Sequence, residues 1–344
     1  MSAVKIGFYG HVRQYHNLKA EIDNAISEVL ESGSYVMGPK LALLEKELAA
    51  YCKTKEAVGV NSGTDALWLA GAAPVFVDID PATCNIDVKL IEAAISPRTK
   101  AIIPVHLYGQ AARMRELAAI AKAHGLLVLE DNAQALGARG DGFEIGELSN
   151  AVATSFIIQK NLGCFGDGGA LVTNDPDLAT QIRKLRNHGS LKRSHHSIGY
   201  NSRLDDIHAA VLRVKLTQLD KWNDQRRSIA ALYDEGLKGT SLKLPVALPG
   251  YRHIYHLYVV ETPGRDALQT YLQERGITAL THYPIAIHQQ EGYPWGHSAR
   301  ISGSLAHTER SAAQVLSLPM YPELTVEEAQ ITIEAICAWD KSQK

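Results

Sequence analysis

Short, unbroken runs of Val, Ile and Leu, set between helical patterns, constrain this chain more than any other feature. "AVGV" (Ala57–Val60), "PVFVDID" (Pro74–Asp80), "KAIIPVHLYG" (Lys100–Gly109) and "LLVLED" (Leu126–Asp131) read as strands. Helical patterns surround them at Leu18–Glu31, Pro39–Tyr51, Val88–Ile95 and Met114–His124, the last stopped by Gly125. Continuous apolar strands separated by helices are buried on both faces, which is the pattern of a parallel sheet covered by helices. The fold class expected is therefore α/β, a mostly parallel sheet covered by helices, with a smaller C-terminal α+β domain.

The chain's 344 residues allow two domains. A long helical stretch from Leu204 to about Leu237 carries one apolar face of Ile207, Val211 and Val214 and a second of Leu212, Leu216 and Leu219. Two such faces suit a helix wedged between packed bodies. Beyond "PVALPGYRH" the texture changes: "IYHLYVVE" alternates as a strand, Arg265–Arg275 is helical, and two helices follow. The last of them opens with Thr325 and Glu328 in capping-box spacing. Residues 1–240 are expected to form the large domain and 241–344 the small one. The formal net charge of −2, with no long run of one sign, argues against a nucleic-acid surface. The four scattered cysteines read as reduced thiols of a cytoplasmic protein. "MSAVKIGFYG" has no apolar region of signal-peptide length, and no run approaches the ~20 apolar residues of a membrane span.

The chemistry begins with "TSFIIQKNLGCFGDGGALVTND" (Thr154–Asp175), where Lys160 stands between an apolar run and a turn rich in glycine. A dinucleotide fingerprint would open a helix, but this turn leads into another strand. A phosphate loop would place Ser or Thr after the lysine, but Asn161 follows it. Taken alone, the stretch is a hairpin with a solvated lysine. Three other segments change its meaning. "VGVNSGTDALWLA" ends a strand in Asn-Ser-Gly-Thr and starts a helix, either an ordinary cap or an anion site. "LLVLEDNAQALGA" sets Glu130 and Asp131 at the C-terminal end of a buried strand, where a carboxylate either caps the chain or faces a positive group. "GYNSRLDD" offers Asn201 and Arg203 before the long helix. Together these suit one cofactor, pyridoxal phosphate: an amine for its aldehyde, a carboxylate for its ring nitrogen, and a helix start with hydroxyls for its phosphate.

The ordered motifs S-F-x-x-x-K-N-L-G-x-x-G-D-G-G-A, E-D-x-A-Q-x-x-G-A, N-S-G-T-x-A-L and N-S-R-L-D-x-x-x-A-A-V-L resemble the DegT/DnrJ/EryC1/StrS family of pyridoxal-phosphate-dependent sugar aminotransferases. The likeness runs from about Phe8 to the C-terminus and includes "HYPIAIH" and "LSLPMYPELT". It implies that Lys160 joins the cofactor's aldehyde and then moves the proton of a 1,3-shift. It implies that Asp131 keeps the ring nitrogen protonated, that Gln134 lies near the ring hydroxyl, and that Gly63, Thr64 and Ser155 hold the phosphate. Asn201 would reach that phosphate from a partner subunit, so a homodimer with shared sites is expected. The segment Pro104–Gln110, with His188, Arg193, His282 and Tyr283, would border the substrate. The implied reaction moves an amino group from an amino acid, typically glutamate, to a nucleotide-linked keto sugar. "NHGSLKRSHHSIGYNSRLDD" leans toward 3-keto rather than 4-keto substrates. No metal is expected, since the adjacent pair His195–His196 does not converge on one ion.

One departure stands out. After "NSGTDALWLA" the family adds a strand and a helix, on the order of 30 residues, before a segment like "GAAPVFVDID". Here Ala70 runs straight into Gly71. In the family that unit carries the aromatic residue stacked on the cofactor, so its loss implies weaker cofactor binding. Twelve residues, Ser62 to Ala73, are left to connect the flanking strands. That is the lower limit for a parallel crossover and reaches only an adjacent strand. Either the deletion is real or a segment is absent from this sequence. A second departure is mild: Ile157, Ile158 and Gln159 stand where the family often has an aromatic, a proline and a small residue. A non-catalytic regulatory relative and a cyclitol aminotransferase are the competing readings. A dehydratase is disfavoured because Lys160 is present.

Overall fold

The apolar runs condense into one central sheet. A computed structural model describes residues 5–64, 73–191, 194–291 and 300–343. The sheet is built from Glu56–Val60 (β1), Ala101–Ile102 (β3), Leu127–Asp131 (β4), Ala151–Ser155 (β7) and Gly169–Thr173 (β8), in the order β1-β8-β7-β4-β3. β3 pairs with β4 and β4 with β7 in parallel, while β8 runs antiparallel to both β7 and β1. Four strands therefore point one way and β8 alone opposes them. The glycine turn makes that reversal, because β7 and β8 are the two strands that flank it.

Helices cover both faces. They are His11–Asn17 (α1), Lys19–Ser32 (α2), Pro39–Tyr51 (α3), Ile91–Ala94 (α4), Met114–His124 (α5), Pro176–Leu185 (α6), Asp206–Leu216 (α7), Leu219–Gly236 (α8), Arg265–Gln273 (α9), Ala306–Gln314 (α10) and Val326–Ser342 (α11). Alternate strand residues divide between two cores, as the two-residue period of a strand requires. Val128, Val152, Ala170 and Val172 face Leu44 and Leu48 of α3, Leu117 of α5 and Leu212 of α7. Val58, Val60, Ala153 and Leu171 face Ala179 and Ile182 of α6. A further core gathers Ile6, Tyr233 of α8, Leu268 of α9 and Ile336 of α11 around Tyr258–Glu261 (β9) and Val315–Leu318 (β11). α11 opens on the expected capping box: the Thr325 hydroxyl accepts from the Glu328 N–H at 3.1 Å, and the Glu328 carboxylate accepts from the Thr325 N–H at 3.0 Å. No helix among the described residues is long and apolar enough to cross a membrane.

The structure corrects four local expectations. In "PVFVDID" only Val75–Phe76 (β2) is strand, and it pairs with Arg300–Ile301 (β10) outside the central sheet. The short link after Asn61 thus does not join adjacent strands of one sheet; the Ala70–Gly71 join itself lies outside the described residues. The cause is a set of contacts with the C-terminal part. Buried Asp78 accepts from the N–H groups of His307 and Thr308 at 3.0 and 2.9 Å, capping α10, and Lys243 donates to the Pro81 carbonyl. The long helical stretch breaks at Thr217–Gln218, where the Thr217 hydroxyl bonds back to the Val214 carbonyl at 2.8 Å. "IYHLYVVE" contributes only β9, which is buried on both faces instead of alternating. The helix expected over Val88–Ile95 is a 3-10 turn (Val88–Leu90) followed by α4.

One buried carboxylate sets how α3 and α7 meet. Asp206, in the first turn of α7, accepts the Leu41 N–H at 2.8 Å and so caps the N-terminus of α3. A side chain at Gly38 would place its Cβ 2.0 Å from the other Asp206 oxygen. Gly38→Ala is expected to lower stability by about 1–3 kcal/mol through overpacking, read as a fall in the urea midpoint. An unchanged midpoint would show that the cap relaxes freely.

Candidate active site

The site forms where β4 and β7 end. β4 finishes with Glu130 facing one side and Asp131 the other. Glu130 is buried, yet every contact it makes is with a donor. Its Oε1 accepts from the Gly146 N–H at 2.9 Å and from the Ser149 hydroxyl, and its Oε2 lies 2.6 Å from His106 Nε2. His106 Nδ1 accepts from the Ala112 N–H at 3.0 Å, so Nε2 carries the proton and donates it to Glu130. Two backbone bonds complete the clamp: His106 N–H to the Asp131 carbonyl at 3.0 Å and Asp131 N–H to the Pro104 carbonyl at 2.9 Å. Asp131 is thereby fixed at the sheet's end. Its Oδ1 accepts from the Ala133 N–H at 3.0 Å, and its Oδ2 has no partner among the described residues.

Lys160 enters from the β7–β8 turn. Phe156 N–H to the Gly168 carbonyl at 2.7 Å, Cys164 N–H to the Phe156 carbonyl at 2.8 Å and Lys160 N–H to the Ile157 carbonyl at 2.9 Å close this turn. The Lys160 amine makes no hydrogen bond or ion pair among the described residues. Burial lowers its pKa, and the negative charge of Asp131 opposes that shift. The next residue anchors it. Asn161 donates to Asn223 Oδ1 at 2.7 Å and accepts from His256 Nδ1 at 3.0 Å, and Asn223 donates to the Leu136 carbonyl at 3.2 Å. Burial holds His256 well below the ordinary histidine range, with the charges of Lys160, Arg226 and His282 adding to the effect.

Gln134 links this centre to the C-terminal part. Its Oε1 accepts from the Tyr108 N–H at 2.7 Å and its Nε2 donates to the Tyr283 hydroxyl at 3.1 Å. The Tyr108 hydroxyl donates to the His282 carbonyl at 2.6 Å, and His282 Nδ1 meets the Ser317 hydroxyl at 2.9 Å. Burial, then Lys160, lowers the His282 pKa. At the opposite side, Gly63 packs on the end of β7. A Cβ there would lie 3.1 Å from the Thr154 carbonyl oxygen and 3.3 Å from Ser155 Cβ, and a Cβ on Gly169 would meet the Ser62–Gly63 backbone at 2.4–2.5 Å. A Cβ on Gly169 does not fit this contact, and one on Gly63 would fit only if the end of β7 gave way. Gly63 and Thr64 begin a helical turn, with the Ser155 side chain against Gly63.

Lys160, Asp131, Gln134, Ser155, Gly63, Thr64, His282 and Tyr283 thus line one end of the sheet. Although the Ser202 hydroxyl, next to Asn201, accepts from the Asn61 N–H at 3.2 Å, no hydrogen bond among the described residues links Asn201 or His188 to these site residues. Both are exposed on the loop that follows α6, where Asn201 accepts from Arg203 at 2.6 Å and His188 N–H donates to the Tyr200 carbonyl at 2.8 Å. Arg193 lies outside the described residues. His106 and Tyr108 lie in the Pro104–Gln110 segment expected beside the substrate, though their roles in the clamp are not legible in the sequence; Asn161, Asn223 and His256 are not singled out by it at all. Their only local signal is a polar residue at a position that the apolar pattern buries, as at Asn223 on α8.

The geometry has close counterparts. The model of the DegT/DnrJ/EryC1/StrS aminotransferase family matches residues 16–70 and 68–337, two stretches that overlap at 68–70, beside the Ala70–Gly71 join. A Streptomyces venezuelae protein named dTDP-3-amino-3,4,6-trideoxy-alpha-D-glucose transaminase is 46% identical over 356 positions, covering 94% of this chain and 93% of its own. A Geobacillus stearothermophilus protein named pleiotropic regulatory protein is 43% identical over 357 positions, covering 94% and 95%. The crystal structure of S. venezuelae DesV in complex with a ketimine intermediate superposes with a TM-score of 0.93 at 44% identity, covering 98% of each chain.

The lowered pKa of Lys160 has a definite sign. A lysine whose folded pKa lies below its unfolded value binds fewer protons in the folded state between the two values, so stability rises with pH across that window and is level on either side of it. In the cofactor-free protein, Lys160→Met is expected to remove this part of the pH slope. Asp131→Asn, which deletes the opposing charge, is expected to lower the Lys160 pKa further. The pH dependence of Lys160 acylation, followed by mass spectrometry, checks the second point; an unmoved or raised midpoint would contradict it.

Proposed function

Because the chain belongs to the DegT/DnrJ/EryC1/StrS aminotransferase family, whose cofactor is pyridoxal phosphate, we propose that it moves an amino group from an amino acid, glutamate foremost, to a nucleotide-linked 3-keto sugar on the way to an amino sugar. The observation that carries this reading is the meeting, at one end of the sheet, of the Lys160 amine and an Asp131 oxygen, both without partners among the described residues, with the Gly63–Ser155 cradle. The 3-keto preference takes its support from the name of the Streptomyces relative and from the segment leading to Asn201.

These residues suit pyridoxal phosphate. When bound, it supplies an aldehyde to carry nitrogen and a ring that accepts electrons. Lys160 provides the amine, and its lowered pKa leaves more of it neutral, able to attack a carbonyl and to take and return a proton. Asp131 Oδ2 faces the site as the acceptor for a protonated ring nitrogen. Gln134 Nε2 gives one hydrogen to Tyr283 and keeps a second for a ring hydroxyl. The Gly63 and Thr64 N–H groups with the Thr64 and Ser155 hydroxyls form the phosphate end. We assign His282 and Tyr283, with His188 and Arg193 from the loop after α6, to the substrate side.

We place Asn201 in the site of a second copy. Tyr35, Val36, Met37, Phe165, Ile198 and Tyr200 are large, apolar and exposed, as a surface closed by a partner would be. We divide the chain into a large domain, 1–240, and a small domain, 241–344; Ile6 and the second half of α8 pack into the latter's core. The four free cysteines suit a reducing compartment, and we place the protein in the cytoplasm. A second reading, a regulatory relative without turnover, rests on the Geobacillus protein's name and on the short join.

Two experiments decide. Borohydride reduction of the protein with pyridoxal phosphate is expected to fix the cofactor on Lys160, seen by mass spectrometry, and Lys160→Ala is expected to abolish amino transfer. No adduct on Lys160, even with added cofactor, discards the enzyme reading. For shared sites, Lys160→Ala and Asn201→Asp proteins, each inactive alone, are expected to regain activity when mixed, because one site of the hybrid is intact. No recovery in demonstrated hybrids would place Asn201 elsewhere.

A further inference from the structure

The central sheet is unfinished at one corner. β3 is its terminal strand, and the extended segment from Lys100 to His106 continues β3 along β4. Lys100 and Pro104 turn their carbonyls to β4, and His106 turns its N–H there. The alternate residues, Ala101, Ile103 and Val105, direct their backbone groups outward. Among the described residues, neither the N–H nor the carbonyl of Ile103 or Val105 has a hydrogen-bond partner. This is an open sheet edge.

Among the described residues, no helix covers the face beside that edge. On one side of the sheet α3, α5 and α7 cover every strand. On the other, α6 covers β1, β8 and β7, and the packing stops at Leu129. Past that point Leu127 is 57% exposed, Ile103 49% and Val105 37%. Three large apolar side chains in a row beside an unpaired edge form a patch of the kind that soluble chains cover. The row Leu127–Leu129 leads directly to Asp131, so the patch abuts the cofactor site.

The comparisons indicate what fits there. The alignment to the Streptomyces relative runs for 356 positions, more than the 344 residues of this chain, yet takes in only 94% of it. About 33 of its positions therefore face no residue here, close to the ~30 residues of a strand and its helix. The family's match breaks at 68–70, beside Ala70–Gly71, between β1 and the β2 segment that has left the sheet. We infer that the β3 edge and the Ile103–Val105–Leu127 face form a docking slot for a strand–helix segment supplied by a separate polypeptide: an extended apolar strand that hydrogen-bonds to β3, and an amphipathic helix that covers the bare face. Strand addition to an open edge is a recurrent mode of peptide recognition.

The test uses the full chain and a fluorescein-labelled synthetic peptide spanning the residues of the Streptomyces relative that face the join. Anisotropy is expected to show saturable binding with and without pyridoxal phosphate, and none by a scrambled peptide of the same composition. Hydrogen exchange on the unaltered protein is expected to slow at Ala101, Ile103 and Val105 when the peptide is added. Ile103→Lys and Val105→Lys, both at exposed positions, are expected to weaken binding at least tenfold. Absence of binding, equal binding of the scrambled peptide, or unchanged amide exchange at 101–105 overturns the proposal. So does an Ile103→Lys protein that merely dissociates from a larger assembly in light scattering, since a second copy would then cover the patch. The outcome is separable from the Lys160 adduct, which is measured without peptide.

Discussion

The bond between Glu130 and His106 is the point from which the site is suspended. It lies in the interior, where a carboxylate without donors would not be tolerated. A neutral histidine, a backbone N–H and a hydroxyl satisfy it together. The same contacts tie three chain segments to the end of β4: the 104–112 loop, the turn at Gly146 and the loop at Ser149. Removing one donor leaves the buried carboxylate under-satisfied, at a cost of about 1–3 kcal/mol, or more for a charged group. Here it would also release Asp131, whose backbone is bonded to Pro104 and His106. Tyr108, two residues beyond His106, carries the order onward to Gln134 and then to the His282–Tyr283 loop. One buried carboxylate thus sets the relation between the sheet's end and the C-terminal part.

Lys160 is held by a contrary principle. Glu130 has donors for both oxygens; the lysine amine has none among the described residues. Its backbone is fixed instead, through Asn161 and the contacts of that side chain with Asn223 and His256. A rigid main chain and an unsatisfied amine give a nucleophile that is positioned and partly desolvated, at a cost to the stability of the cofactor-free protein. Asp131 limits that cost, since its charge favours the ammonium form. The pair is balanced: enough burial to lower the lysine's pKa, and enough opposite charge to keep it within the fold.

The residues to which we assign the chemistry stand out in the sequence because they sit at punctuation. Lys160 interrupts an apolar run before a glycine cluster, Asp131 ends a buried strand, and Gly63 stands where a strand becomes a helix. The helices Pro39–Tyr51 and Met114–His124 were legible for the same reason, bounded by Pro and Gly. The residues that hold them were not. Asn161 finds Asn223 and His256 across 62 and 95 positions, and no local pattern encodes a distance of that kind. The departure of "PVFVDID" from the sheet was hidden likewise, because Asp78 is drawn to the start of α10, 229 and 230 positions away. The break at Thr217 failed for a smaller reason: an apolar period that continues across a junction conceals a hydroxyl bonding back to the preceding turn.

The short join bears unequally on the two ends of the site. Lys160 rests on the β7–β8 turn, Asp131 on β4 and the His106 clamp, and Gln134 on Tyr108; none of these elements adjoins residues 65–72 in sequence, and the bonds that hold them here run between other residues. Gly63 and Thr64 are different, since the chain enters the join directly after them. The amine and the carboxylate we assign to the ring nitrogen are thus anchored at points remote in sequence from the join, while the phosphate end we propose is continuous with it. On that assignment, a change in the connection acts first on how tightly the cofactor's phosphate is held, and last on the groups that handle its nitrogen. The bare face at Ile103 and Leu127 lies on the same side of the sheet as Asp131, so whatever covers it also closes the wall of that pocket. Affinity and enclosure are thus the properties exposed to the missing unit, and the arrangement of reactive groups is the property the rest of the fold secures.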